Sequence, residues 1–142
     1  MNGLEDISIS IVETTSTSGE LRANVRAILH EIETLLGKLL ESGEGDIIDI
    51  RSLPLLPADY EGLEGALGGG EVYAEIDGGN GPTVIVETGM PGVWWVSHYG
   101  DSDEIIAEFI EVTRIPELLM SPPEDIDDGL ERLRMQLADA GH

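Results

Sequence analysis

Met90 to Ile126 reads MPGVWWVSHYGDSDEIIAEFIEVTRIPELLMSPPEDI, and its reading sets the fold. Two apolar runs, GVWWVSHY and EIIAEFIEVTRI, flank Gly100-Asp101-Ser102-Asp103. Strand-length apolar runs around a short polar turn are the pattern of a β-hairpin. A loop at Gly100 to Asp103 pairs Tyr99 with Glu104. Trp94 then lies opposite Phe109, Val96 opposite Ala107 and His98 opposite Ile105. That face is nearly all apolar and is expected to form the core beneath the helices. The other face sets Trp95 opposite Glu108, Ser97 opposite Ile106 and Val93 opposite Ile110. It is more mixed and is expected on the less covered side, with Trp95 near solvent. A tryptophan exposed beside carboxylates marks an interaction surface. The expected partner-binding residues are therefore Trp95, Ser97, Glu108, Ile106, Ile110 and Arg114.

Downstream, Pro116 and Pro122-Pro123 stop the sheet and start a helix. Ser121 is its expected cap, Glu124 completes a capping box, and Ile126, Leu130, Leu133 and Leu137 give its buried face. Upstream, Glu71 to Asp77 and Thr83 to Thr88 read as two further strands, and their short connections require antiparallel pairing. Asp46 to Ile50 is a short strand that could extend the sheet, with Arg51 as a buried ion-pair partner fixing the next loop. Pro57 opens a short helix with Tyr60, Leu63, Ala66 and Leu67 on its apolar face, broken at Gly68-Gly69-Gly70. A long helix precedes these elements. It starts from the capping spacing of Thr17 to Glu20, carries an apolar stripe to Leu40 and ends at Ser42-Gly43. Before it, Ile7, Ile9 and Ile11 alternate with serines as an edge strand or docking arm, and a mobile N-terminal arm is expected over residues 1–18. The fold class is α+β over residues 19–142. A four- to five-stranded antiparallel meander is packed mainly on one face by two longer helices plus a short third.

The 142 residues include 29 acidic and 7 basic side chains, a net charge of -22. Phosphates would be repelled, so nucleic acid and anionic membrane surfaces are poor partners. The acidity either serves solubility or suits a basic protein, a basic peptide or a cation. The absence of cysteine excludes disulfides, zinc ribbons and cysteine-ligated iron–sulfur clusters. No signal peptide and no membrane-length apolar run are legible, so a cytoplasmic protein is expected.

Sites of chemistry are hard to find. No HExxH, CxxC, Walker or GxSxG pattern occurs. The glycine run at 68–70 lacks a following Lys-Ser/Thr and leads into a strand, not a helix. Ser97 and His98 are strand neighbours and must face opposite ways, so they are no nucleophile–base pair. Glu87, Glu108 and His98 could bind a metal only in a register that gathers them on one face. His30 reads as a helix-surface residue. No catalytic residue, cofactor or metal site is assigned, and the chain is expected not to be an enzyme.

The runs PGVWWVSHY, AEFIEVTRIPELL and SPPEDIDDGLERL resemble the C-terminal region of the hydrogenase expression/formation proteins HupH, HyaF and HoxQ. DIIDIRSLPLLPADYEGLEGALGGGEV resembles the segment just upstream, so the resemblance covers roughly residues 20 to 135. The matching positions are Pro91, Gly92, Trp94, Trp95, His98, Glu108, Phe109, Glu111, Arg114, Pro116 and Asp125. The resemblance implies an assembly chaperone in [NiFe] hydrogenase maturation. Its partners would be the precursor of the small, iron–sulfur-bearing subunit, with its basic twin-arginine signal, and other accessory proteins. It also implies a chain longer upstream, which would make this one a fragment or a short paralogue. Two other classes stay open: a metal-delivery protein using His and carboxylate ligands, and a small carboxylate-dependent enzyme.

Overall fold

The computed structural model describes residues 21–141. The expected N-terminal arm and the Thr17–Glu20 cap lie outside them. Helix α1 spans Ala23–Ser42 and buries Val25, Ile28, Ile32 and Leu39. Gly43 ends it at φ +76, a left-handed conformation that glycine adopts without Cβ strain. Strand β1 (Asp46–Asp49) runs into a single 3-10 turn, Ile50–Ser52. Helix α2 (Pro57–Leu67) opens on its proline and buries Leu63 and Leu67. Strands β2 (Tyr73–Asp77), β3 (Pro82–Glu87), β4 (Val93–Tyr99) and β5 (Ile105–Val112) follow. A second 3-10 turn, Glu117–Leu119, precedes helix α3 (Pro123–Ala140). The strands form one sheet in the order β1-β5-β4-β3-β2, every pair antiparallel. The expected α+β meander is therefore present, with the Ile47 strand as its fifth member. Among the described residues, no helix is long and apolar enough to cross a membrane.

The hairpin register differs from the expected one. Gly100 N–H donates to Glu104 O, leaving a three-residue loop in which Asp103 takes φ +66. Tyr99 consequently pairs with Ile105, not Glu104. The register then shifts once more: His98 pairs with Ala107, leaving Ile106 as an extra residue in β5. This is a β-bulge, two residues opposing one. From there Ser97 pairs with Glu108, Val96 with Phe109, Trp95 with Ile110, Trp94 with Glu111 and Val93 with Val112. Two one-residue shifts restore the original grouping of faces, because side chains alternate with period two.

The assignment of those faces is also reversed. Helices α1 and α2 pack on the side carrying Val93, Ile110 and Val112, joined by Ile48, Ile50 and the partly buried Trp95. Trp94 is buried as expected, but in a smaller cluster with Ile85 and Val96 on the opposite side. The reason lies in β1, which the hairpin alone could not reveal. Ile48 sits beside Ile110, so the flanking strand completes an apolar surface where the helices dock. In the β3–β4 turn, Gly92 has φ +89 and a Cβ there would approach Leu36 Cδ2 at 3.3 Å. A glycine thus lets the turn pass close under α1.

Helix α3 departs from expectation as well. None of its residues is buried, and Ile126, Leu130, Leu133 and Leu137 are all exposed. Pro122, not Ser121, is its N-cap residue, and no side chain caps it.

Arg51 is exposed and does not hold the loop as expected. A different acid–base contact does. Asp59, 1 % exposed, sits in the first turn of α2. It accepts from the Leu56 N–H at 2.9 Å, from Asn24 Nδ2 at 3.1 Å and from Arg22 Nε at 2.5 Å. The starts of α1 and α2 are thereby tied through one carboxylate. The Leu56 backbone donor, then Asn24 and Arg22, hold its pKa down at about 2.

A carboxyl with a depressed folded pKa stabilises the fold above its unfolded pKa, about 3.9, and loses that contribution as pH falls toward the folded value. Asp59→Asn is expected to lower the melting temperature at neutral pH. The gap from wild type should close as pH falls from about 4 to about 2. Thermal melts across that range check this; a gap independent of pH would contradict it.

Candidate functional site

The face of the sheet turned away from α1 and α2 is covered by a much shorter piece of chain. After β5 the backbone turns through Thr113 to Pro116 and lays the Glu117–Leu119 turn across this face. Trp94 Nε1 donates to Thr113 O at 3.1 Å, fastening the return. Leu119 packs on the Ile85, Trp94 and Val96 cluster with Phe109. One turn of helix cannot cover five strands, and a groove remains. Its larger part, about 700 Å³, lies between β1 and the entry to α3, lined by Ile47, Glu111, Ile115, Glu117, Met120 and Pro122 among others. A second hollow of about 320 Å³ shares Ile47, Glu111 and Glu117 and continues over Val96, Phe109 and Leu118.

Two carboxylates stand where the hollows join. Glu111 projects from β5 at the position that alternation gives to this face. Burial pushes its pKa up, the Glu117 backbone donor pulls against this, and the Glu117 carboxylate pushes it up again. The surrounding side chains are apolar and open: Ile47 is 53 % and Met120 56 % exposed. Carboxylates only accept hydrogen bonds when ionised. When ionised, the two carboxylates can accept hydrogen bonds from a donor-bearing group lying between the apolar side chains. His98 forms part of its wall. Its Nδ1 contacts Thr83 Oγ1 at 2.7 Å, and its ring meets Phe109 edge-on with centroids 5.7 Å apart.

The six residues expected to meet a partner divide into two sets. Trp95, Ser97 and Glu108 do come together: Trp95 Nε1 donates to Glu108 Oε2 at 2.7 Å, and Ser97 Oγ to the same oxygen at 3.4 Å. They lie on the helix-covered side with Ile110, and Ser97, Glu108 and Ile110 are buried. The bonded carboxylate explains how Glu108 is tolerated there. Ile106 at the bulge and Arg114 beyond β5 are exposed and remain reachable. Ser97 and His98 face opposite sides, as expected. Glu108 and His98 also lie on opposite sides, so the Glu87–Glu108–His98 set is not gathered. Among the described residues, no group of three potential metal ligands comes together. His30 is a surface residue beside Glu33.

The groove itself escaped sequence reasoning. The available signal was Glu111, an acid within the alternating run IIAEFIEV, followed by Ile115, Leu118 and Met120 in a stretch broken by Pro116.

Residues 22–139 match the family described as HupH hydrogenase expression protein, C-terminal conserved region. The hydrogenase expression/formation protein HoxQ of Azotobacter vinelandii is 39% identical over 87 residues, 61% of this chain and 30% of that protein. HupH of Rhizobium leguminosarum bv. viciae is 33% identical over 111 residues, 78% of this chain and 39% of that protein. The matches thus span only about a third of these relatives' length. The solved structure of the hydrogenase expression protein HupH from Thiobacillus denitrificans superposes with a TM-score of 0.77 at 40% identity, covering 82% of this chain and 96% of that one.

Two variants test the geometry. Ile110→Ala should cost about 2–5 kcal/mol in denaturant unfolding, as a cavity on the helix-covered side must. Glu111→Gln should act in the other direction. A carboxyl with a raised folded pKa holds its proton more tightly folded than unfolded, so ionisation costs stability as pH rises through that range. The variant should melt higher than wild type at neutral pH and alike well below about pH 4. Equal melting at both pH values would contradict it.

Proposed function

The chain belongs to the HupH family of hydrogenase expression proteins, and from that premise we propose that it is a non-catalytic binding module in [NiFe] hydrogenase maturation. It acts as an assembly chaperone for the precursor of the small, iron–sulfur-bearing subunit. It meets this client and other hydrogenase accessory proteins in the cytoplasm. The observation that carries this reading is the outer-face groove, with Glu111 and Glu117 set among exposed apolar side chains. A segment of the precursor bearing Lys or Arg between apolar residues matches that chemistry. The net charge of -22 adds a field that draws basic segments toward the surface. Exposed ion pairs contribute only about 0–1 kcal/mol each. The groove's selectivity therefore rests on Glu111, whose partial burial makes an unpaired charge costly and a paired one favourable. Exposed Arg114, beside the groove's Thr113 and Ile115, borders the same surface, and Ile106 offers an apolar contact at the far end of β5. The metal-delivery alternative would use His and carboxylate ligands and the enzyme alternative clustered carboxylates; the apolar lining of the groove favours neither.

Titration of purified small-subunit precursor into this chain tests the reading. Binding should weaken steeply as salt is raised. The double substitution Glu111→Gln, Glu117→Gln should weaken it about tenfold or more, corresponding to about 1.4 kcal/mol. The absence of binding, or binding indifferent to both salt and substitution, would overturn it.

A further inference from the structure

We propose that α3 is a self-association helix that pairs antiparallel with the α3 of a second copy of this chain. The helix has 18 residues, none of them buried. Four of its five large apolar residues nevertheless follow a strict pattern, with Met135 standing off it. Ile126, Leu130, Leu133 and Leu137 are separated by four, three and four residues, the seam of a two-helix coiled coil. An apolar stripe that only faced the sheet would be wider and would show burial somewhere along it. All four residues are at least 42 % exposed.

The charges beside the seam select the occupant and its direction. Taking Leu130 and Leu137 as the a positions, Ile126 and Leu133 fall at d, Asp127 and Arg134 at e, and Gly129 and Gln136 at g. In an antiparallel pair, e positions meet e positions across the seam. A two-fold axis passing near Glu131 and Arg132 brings Ile126 against the partner's Leu137 and Leu130 against the partner's Leu133. Asp127 then lies beside the partner's Arg134, and Arg134 beside the partner's Asp127. The symmetry makes both pairs at once, as an isologous two-fold contact requires. Parallel pairing would instead put e against g, where Gly129 and Gln136 offer Asp127 and Arg134 no charge. Among the described residues, neither Asp127 nor Arg134 has an ion-pair partner within the chain. Gly129 meets only a distant Arg132 nitrogen and leaves that flank of the seam open for close approach. In a chain this acidic, Arg134 placed three residues before the seam's end at Leu137 and opposite an aspartate is the complementarity that a second copy supplies.

The surface is separate from the groove, since no residue assigned to the seam lines it. The failure of one reading leaves the other standing. The test is the mass of the 142-residue chain by sedimentation or light scattering, at moderate salt to screen the repulsion between two strongly acidic chains. A concentration-dependent mass rising toward twice 15.3 kDa is expected. The pair Leu130→Glu, Leu133→Glu should return the protein to monomer. Its near-ultraviolet signal from Trp94 should be unchanged, because α3 shares no buried residue with the sheet. Asp127→Arg and Arg134→Asp should each raise the dimer dissociation constant several-fold, and the combined swap should restore it. A monomer at all concentrations would overturn the proposal. So would a dimer insensitive to the leucine substitutions, or one whose charge swaps fail to compensate.

Discussion

One extra residue in β5 determines which side chains meet which. The three-residue loop alone would have paired Trp94 with Ile110 and mixed the two surfaces of the hairpin. Ile106, left over opposite the His98–Tyr99 step, corrects the phase. Because a sheet alternates with period two, that correction propagates along the strand to Val112. It puts Trp95, Ile110 and Val112 under the helices and Trp94, Phe109 and Glu111 on the other side. Asp59 then ties α1 to α2 so that they present a continuous apolar surface to the first of these.

The two faces of the sheet are consequently unequal. Twenty residues of α1 and eleven of α2 serve the inner one. The outer one is closed by little more than the turn at Glu117–Leu119 and the indole of Trp94. An antiparallel sheet tolerates this, since its hydrogen bonds are complete without a second layer. The uncovered remainder is apolar with two acids in it. The function proposed above depends on this asymmetry and on no reactive group.

Much of the architecture could be read directly. The strands, their antiparallel order, the end of α1 at Gly43 and the opening of α2 at Pro57 all follow from local patterns that the tertiary structure respects. What could not be read has specific causes. The bulge at Ile106 has no marker, because an isoleucine there looks like any other strand residue. Asp59 was one acid among 29, and only the meeting of two helix starts makes it special. The stripe on α3 reads as a core-facing surface, yet the return of the chain leaves it off the sheet with no residue buried. Trp95, Ser97 and Glu108 were correctly grouped, yet their environment depended on Ile48 of β1, sixty-two residues before Ile110. The groove arises from how the chain returns over the sheet after Thr113, which no periodicity describes.

The position of β1 has a consequence for the order of assembly. The four meander strands pair with sequence neighbours, so each step closes a short loop. Strand β1 pairs with β5 instead, joining Asp46 to Val112 across the body of the domain. Such distant contacts form slowly, because the intervening chain must be ordered before they are rewarded. During synthesis α1, β1 and α2 leave the ribosome before β5 exists. Until then the edge of β1 has no partner strand, and the apolar stripe of α1 has only α2 to pack against.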